Sequence, residues 1–510
     1  MGFFSEVWTL FSAGFSFLSS LSSWGLLLLG TGAGVLMGAL PGVSSTMALV
    51  VFTPMTFTLD AGPAFLMLMG VYVGSVFGGS ISAICINIPG TAGSIGTLMD
   101  GYPLTLKGEA GRAVSVATIS STIGSLFGFI VLLLLIQPLA KAVTLFSSFE
   151  MCAVAFLGIS IVSFISEGPV IHGFISAVVG LLMCTVGLDV VSGVARFTGG
   201  SLSLMSGFND IPIMIGVFGI VEILNFFSQK QEVKTVQTLK MDVGPAIKIC
   251  LSNTGNLIRS SVIGTIIGII PAAAASMAGV TAYGVAKSAS KNPEKFGTGH
   301  YPGLIAAESA KNASVGGALL PMMTLGIPGD PMTAVLIGSL MIHGMVPGGK
   351  LFSETPEVVS CILLGVVISS IMLLMFGIVG GNLFSRLLAL PAYYLYPVIV
   401  LLCMVGAYVT ASSSFDIWVM VLSGIIGFFF VKLRISTLPL VLGLILGSMV
   451  EDNLRRALML SSRNPYELFH HPLAMLFIVI GIVFLVVGSL QQHHNNKREQ
   501  EAAPASDDQA

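Results

Sequence analysis

The stretch GGSISAICINIPGTAGSIGTLMDGYP at residues 78–103 decides the fold, because it interrupts a very apolar chain with six glycines, two prolines, an Asn and an Asp. Pro89 lacks an amide donor and clashes with the preceding turn, so no uninterrupted helix runs through it. A bilayer tolerates such a break only where protein or a water-filled cavity satisfies the freed backbone groups. The stretch is therefore predicted to form a ligand site.

The composition of the whole chain predicts an all-α polytopic membrane protein. Of its 510 residues, 54% are hydrophobic and only 9% are charged, whereas soluble domains average about 25% charged residues. A membrane-spanning helix needs about 20 mostly apolar residues, and the apolar stretches suffice for about ten to twelve crossings of the lipid bilayer. No cluster of basic residues suggests a nucleic-acid partner.

Changes of composition divide the chain into five parts. Residues 1–23 mix aromatic residues with serines, which predicts an interfacial helix or a weak first span. Residues 24–228 form a first membrane half, residues 229–248 a polar linker, and residues 249–490 a second membrane half. Residues 491–510 are a polar tail that we expect to be disordered.

The two halves carry the same series of glycines and prolines. The matching elements are Gly34-x-x-x-Gly38-x-x-Pro41 with Gly264-x-x-x-Gly268-x-x-Pro271, and Gly78-Gly79 before Ile88-Pro89-Gly90 with Gly316-Gly317 before Ile327-Pro328-Gly329. Between Pro41 and Gly78 there is no Lys or Arg, whereas the equivalent loop of the second half has Lys287, Lys291 and Lys295. Under the positive-inside rule, the halves are then two inverted repeats containing broken or re-entrant helices. That pattern is typical of secondary transporters.

Each break predicts a helix start whose free N–H groups and partial positive charge face a ligand. Such starts bind carboxylates or phosphates without a basic side chain. The candidate substrate-binding residues are Pro41, Gly42, Ser44, Ser45, Thr46, Gly79, Ser80, Asn87, Pro89, Gly90, Thr91, Ser276, Asn312, Pro328 and Gly329. The alternative is that these prolines and glycines only kink packed helices while the hydroxyls bond their own backbone.

The candidate groups for ion coupling are Asn87, Thr324, Asn312 and Glu308. The first three offer oxygen ligands for a sodium ion. Glu308 and Lys311 lie three residues apart, which favours a mutual ion pair, although intramembrane ionisable residues are usually functional. Asp330 precedes a helix start, where capping is its common role.

Five motifs resemble the large membrane subunit of the tripartite tricarboxylate transporters of bacteria. They are GVLMGALPG (34–42), YVGSVFGGSISAICINIPGTAGSIGTLMDGYP (72–103), KGEAGRA (107–113), FGTGHYPGLIAAESAKNASVGGALLPMMTLGIPGD (296–330) and IHGMVPG (342–348). The resemblance implies a multi-pass carrier of the bacterial cytoplasmic (inner) membrane for citrate or related carboxylates, coupled to Na⁺ or H⁺ and without another cofactor. It also implies two partners, a small four-span membrane subunit and a periplasmic substrate-binding protein.

The chain departs from the family pattern at four positions. Ala272 follows Pro271 where the family tends to have Gly, and Pro302 stands where an acidic residue is usual. Ala307 and Lys311 replace residues that are typically Pro and Asn. Lys311 adds a positive charge near the predicted site, which bears on ion coupling or substrate choice.

Two other classes of function compete with the carrier hypothesis. An intramembrane protease needs HExxH, GxSG or GxGD, and the residues before Gly329-Asp330 are Ile327-Pro328 rather than the required glycine. We therefore do not expect an enzyme. A carrier or channel for another small organic anion, or a purely structural subunit, stays compatible with the residues alone.

Overall fold

The computed structural model describes residues 3–165, 169–189, 192–228, 239–271, 274–381, 383, 395–461 and 464–502. The chain divides into two compact units, Met1–Leu145 with Ile211–Phe428 and Phe146–Asp210 with Phe429–Ala510. Both are built almost entirely from helices, so the predicted all-α polytopic fold is confirmed. In the described residues, six helices are long and apolar enough to cross a membrane, and seven more apolar helices are shorter.

The helices lying wholly or mainly in the first unit are α1 (Phe3–Ser12), α2 (Phe15–Leu18), α3 (Leu21–Ala39), α4 (Ser45–Phe52), α5 (Ala61–Ile86), α6 (Ile95–Leu106) and α7 (Ala110–Val143). The first unit resumes near residue 210, and its next helices are α11 (Asp210–Met214), α12 (Val221–Ser228), α13 (Val243–Ser252), α14 (Thr254–Ile269), α15 (Ala274–Ser288), α16 (Tyr301–Leu325) and α17 (Pro331–Ile342). A π-helical segment, Ile215–Ile220, joins α11 to α12. The unit ends with α18 (Lys350–Glu354), α19 (Pro356–Val379), α20 (Leu395–Ala411) and α21 (Ser414–Lys432).

Helices α5 and α16 form the centre of the first unit, and both are buried along almost their whole length. Their neighbours approach closely because glycines stand at the contacts. A Cβ on Gly38 of α3 would lie 2.2 Å from the carbonyl oxygen of Ser75 in α5, and one on Gly268 of α14 would lie 2.3 Å from that of Ser314 in α16. Small residues let helix backbones meet in this way in membranes. The matching glycines of the two halves therefore make equivalent contacts.

The second unit contains α8 (Ser148–Ile165), α9 (Val170–Cys184), the two-residue strands β1 (Gly187–Leu188) and β2 (Ala195–Arg196), α10 (Leu202–Met205), α22 (Leu438–Leu460) and α23 (Pro472–Ala502). The strands pair antiparallel. Glycines again set the helix contacts, since a Cβ on Gly180 of α9 would lie 2.0 Å from the carbonyl oxygen of Leu440 in α22. Arg455 bonds both Asp189 and Glu451 at 2.6 Å, which joins α22 to the loop after β1.

The five parts predicted from composition and the two compact units have different boundaries. The halves 24–228 and 249–490 stay a prediction about sequence repeats, and residues 229–238 of the linker lie outside the described residues. The predicted disorder of the tail stays a prediction; the structure describes residues 491–502 as the end of α23. Gln, Lys, Arg and Glu are good helix formers, so a helix begun in an apolar segment extends into this polar one. Residues 503–510 lie outside the described part.

Candidate functional site

The first break in each half has the same backbone. Helix α3 ends before Leu40 (φ −75°, ψ 124°), and α14 ends before Ile270 (φ −78°, ψ 119°). Both residues precede a proline, whose ring pushes the preceding residue out of the helical region and into an extended conformation. Pro41 and Pro271 therefore end their helices for one physical reason.

The second break in each half begins with a left-handed residue. Asn87 closes α5 with φ +57°, and Gly326 closes α16 with φ +73°. Glycine adopts this conformation without strain, and Asn is among the few other residues that visit it routinely. Ile-Pro-Gly follows in both cases. Asn87 is exposed and lies at the end of α5.

Four helix starts that follow these breaks line one cavity of about 100 Å³. Its wall consists of Ser44, Ser45 and Thr46 at the start of α4, Thr91, Ala92 and Gly93 before α6, Ala275 and Ser276 in α15, Pro331 and Met332 in α17, and Val76 of α5. Five of these residues carry hydroxyls, and none of them is charged. An anion in this cavity would meet helix N-termini and hydroxyl donors rather than a cationic side chain.

The hydroxyls of the cavity differ in what they already bind. Ser44 Oγ caps α4 by accepting from Met47 N at 3.1 Å. Thr91 Oγ1 and Ser94 Oγ bond each other at 3.0 Å. Within the described residues, Ser45 Oγ is buried and has no hydrogen-bond partner. Burying a hydroxyl without a hydrogen-bond partner costs free energy. Ser45 is therefore the cavity hydroxyl that we expect to hydrogen bond to a ligand.

A buried tyrosine and aspartate hold the start of α17 at the cavity. Asp330 Oδ1 accepts from Thr333 N at 2.7 Å, and the Thr333 hydroxyl accepts from Asp330 N at 2.9 Å, which completes a capping box. The Tyr72 hydroxyl of α5 donates to Asp330 Oδ2 at 2.6 Å. Capping is thus the role that the structure gives Asp330, and Tyr72 ties this cap to the central helix.

Glu308 and Lys311 form an ion pair at 3.2 Å with both side chains fully buried. Ser80, a candidate substrate-binding residue, donates to Glu308 Oε2 at 2.9 Å. Asn312 also lies in this polar cluster, because its Nδ2 donates to Ser121 Oγ at 2.8 Å. These residues lie behind the cavity wall rather than on it.

The structure does not bring the predicted sodium ligands together. Asn312 and Thr324 are both in α16, and their twelve-residue separation corresponds to about 18 Å along a helix. Thr324 Oγ1 bonds the Leu320 carbonyl of its own helix at 2.7 Å. Asn87 is exposed at the end of α5. One ion cannot be bound by all three residues, because oxygen ligands must lie within a few ångströms of the metal.

The remaining candidates shape the breaks without lining the cavity. They are Pro41, Gly42, Gly79, Pro89, Gly90, Pro328 and Gly329. A Cβ on Gly90 would lie 2.2 Å from the carbonyl oxygen of Gly38, and one on Gly79 would lie 2.4 Å from Thr91 Oγ1. Gly42 has φ +82°, and its carbonyl accepts from the Tyr396 hydroxyl at 3.0 Å. These glycines let the backbone segments cross. Ala272, a departure from the family pattern, lies outside the described residues.

Two acidic residues near the breaks were missed or undervalued from sequence. Glu222, in the apolar segment Asp210–Ser228, lies near Ser44 of the cavity wall. Its position inside an apolar segment was a signal for function.

Asp100 Oδ1 accepts from the backbone N–H groups of Gly297, Gly299 and His300 at 2.8–2.9 Å, which fastens the loop before α16 to α6. In that loop, burial lowers the pKa of His300 from its ordinary 6.5.

Comparisons with known proteins identify the family of the chain. The model of the tripartite tricarboxylate transporter TctA family matches residues 25–442. An uncharacterized 52.8 kDa protein of Agrobacterium vitis, from the TAR-I ttuC′ 3′ region, is 32% identical over 461 residues, which cover 90% of this chain and 91% of that protein. A second uncharacterized Agrobacterium vitis protein, from the TAR-II ttuC′ 3′ region, is 30% identical over 227 residues, which cover 44% of this chain and 94% of that protein. No solved structure matches. The chain therefore belongs to the tripartite tricarboxylate transporter TctA family.

Proposed function

We propose that this chain is the large transmembrane subunit of a secondary transporter that imports tricarboxylates or related small carboxylates. The observation that supports this most is the meeting of four helix starts at one cavity. Helix N-termini bind carboxylates through free N–H groups and the helix dipole. The cavity wall adds hydroxyl donors, and none of its lining residues carries a carboxylate; the Asp330 carboxylate caps α17 beside the wall.

The proposed transport cycle uses a periplasmic substrate-binding protein, which delivers the carboxylate, and a small four-span membrane subunit as the second partner. The proposed location is the bacterial cytoplasmic membrane. The cavity volume of about 100 Å³ is below the about 300–1,000 Å³ of typical ligand sites. It admits one carboxylate-sized group, so a di- or tricarboxylate requires a wider conformation. Two halves of inverted orientation would supply such a change by alternating access.

The proposed coupling ion is Na⁺ or H⁺. Glu222 supports proton coupling, because it is an intramembrane carboxylate near Ser44 of the cavity wall. A change in its protonation would alter the charge beside the cavity. Such intramembrane carboxylates are frequent parts of proton relays in transporters.

The test of this function is uptake of radiolabelled citrate and succinate into membrane vesicles that contain the chain and its small partner. Substrate is presented on the binding protein, under a Na⁺ gradient or a pH gradient. We expect accumulation against the substrate gradient. Flux that does not saturate and only dissipates the substrate gradient would instead indicate a channel, and no uptake of any organic anion under either gradient would refute the proposal.

Two serine variants test whether the cavity is the site. Ser45→Ala and Ser369→Ala each remove a buried hydroxyl that has no partner in the described structure, but only Ser45 lines the cavity. A hydrogen bond to a charged group contributes about 1.5–3 kcal/mol. We therefore expect Ser45→Ala to lower kcat/KM for uptake by about tenfold or more, and Ser369→Ala to resemble the unmodified protein. Equal kinetics for the two variants would place the substrate elsewhere.

A further inference from the structure

Glu308 lies at the centre of a fully buried polar cluster built by four helices. Its Oε2 accepts from Ser80 of α5 at 2.9 Å and from Ser121 of α7 at 2.7 Å. Its Oε1 accepts from Thr97 of α6 and from the Lys311 ammonium, the latter at 3.2 Å. The Lys311 ammonium also donates to the Ser80 hydroxyl. All five side chains have 0% exposure.

Apart from the ammonium, this cluster presents oxygens with a single negative charge. Asn312 adds a further oxygen, because its Nδ2 donates to Ser121 Oγ and to the Glu308 carbonyl while its Oδ1 has no partner among the described residues. Carboxylate, hydroxyl and amide oxygens are the ligands that hard cations prefer. A buried site with one negative charge is neutralised by a monovalent cation, whereas a divalent cation would leave an uncompensated charge in a low dielectric.

We propose that the Lys311 ammonium occupies the position of a monovalent cation in this cluster. The chain thus carries a tethered cation, and the same oxygens bind Na⁺ when residue 311 is neutral. The ammonium has the charge of Na⁺, and it bonds two of the oxygens that would coordinate the ion. Transport by this chain is therefore independent of Na⁺ at this site.

The position of Lys311 links this cluster to the cavity. A Cβ on Gly93 would lie 3.1 Å from Lys311 Cδ and 3.2 Å from Lys311 Cγ. Gly93 lines the cavity between the starts of α4 and α6. The lysine side chain therefore packs directly behind the cavity wall, where a bound ion would act on the same backbone segment. This consequence for transport rests on the proposed carrier function, but the binding test below does not.

The test is thermal unfolding of the purified full-length protein, titrated with NaCl at constant ionic strength against choline chloride. The unmodified protein is expected to show no Na⁺-specific change in Tm. Lys311→Asn is expected to have a lower Tm in choline chloride and to gain about 2 °C or more as NaCl is added, with saturation. Lys311→Ser, which also leaves a neutral oxygen, is expected to respond in the same way.

The control is the double variant Glu308→Gln with Lys311→Asn, which keeps the cluster polar but removes its charge. It is expected to lose the Na⁺-specific rise. Folded Lys311→Asn and Lys311→Ser proteins without any Na⁺ response would overturn the proposal. The proposal would also be overturned if the unmodified protein showed a saturable, Na⁺-specific rise in Tm that Glu308→Gln abolishes. This second comparison is used if neither lysine variant folds. No arm uses a carboxylate substrate, so failure of citrate uptake leaves these outcomes unaffected.

Discussion

Tyr72 is the residue whose replacement tests the support of the cavity wall most directly. Tyr72→Phe removes only the hydroxyl that donates to Asp330 Oδ2 at 2.6 Å. The two residues are 0% and 3% exposed, so bulk water does not replace the lost donor. The variant leaves one carboxylate oxygen of the α17 cap without this partner. A hydrogen bond to a charged group contributes about 1.5–3 kcal/mol, which is the expected loss of unfolding free energy.

The expected change in Tm follows from the size of the chain. Unfolding entropy is about 2.1 cal/mol/K per residue, which amounts to about 1.1 kcal/mol/K for 510 residues. Tyr72→Phe should therefore lower Tm by about 1.5–3 °C. The six cysteines are free and either buried or half-buried, so a thiol-reactive fluorophore reports their exposure on heating.

The matched control is Tyr408→Phe in α20, because that side chain is 46% exposed. Its Tm should equal that of the unmodified protein. If Tyr72→Phe and Tyr408→Phe have the same Tm, the Tyr72–Asp330 bond does not hold the start of α17, and the reasoning is refuted.

Two further predictions concern Asn87 and Asp100. Asn87→Gly should preserve both Tm and citrate uptake, because glycine adopts the left-handed conformation more readily than Asn. Asn87→Val should lower Tm, because valine is strained in that conformation. Loss of uptake in Asn87→Gly would instead show that the Asn87 side chain binds a ligand. Asp100→Ala removes the acceptor of three backbone N–H groups at residues 297–300, and it should speed trypsin cleavage after the exposed Lys295 in detergent. The control Asp60→Ala, at an exposed N-cap without a side-chain bond, should not change the cleavage rate. Equal cleavage rates for the two variants would contradict the anchoring role of Asp100.

The helix breaks could be predicted from the sequence because proline and glycine act locally. Pro41 and Pro271 end helices through their own rings, and this effect needs no tertiary information. The matching order of glycines predicted the repeat, and these glycines lie at close helix contacts in both halves, since close backbone approach requires a residue without a side chain. Local chemistry therefore determines most of the architecture around the cavity.

The partners of the polar side chains could not be predicted in the same way. Ser80, Thr97 and Ser121 are three hydroxyls among many, and only tertiary packing brings them to Glu308. Asn87 has the chemistry of an ion ligand, but its left-handed backbone and exposure depend on how α5 ends. Glu222 and Ser44 are distant in the chain, so no local pattern reveals that they lie near each other.

The glycine contacts of α3 with α5 and of α14 with α16 have a mechanical consequence. Because backbone meets backbone at Gly38 and Gly268, sliding either helix along its partner would drive a larger side chain into a carbonyl oxygen. We therefore expect the two helices of each pair to move together as one rigid body. Any motion that widens the cavity is left to the shorter helices α4, α6, α15 and α17, which hinge at the four breaks where the continuous hydrogen-bond ladder is already interrupted.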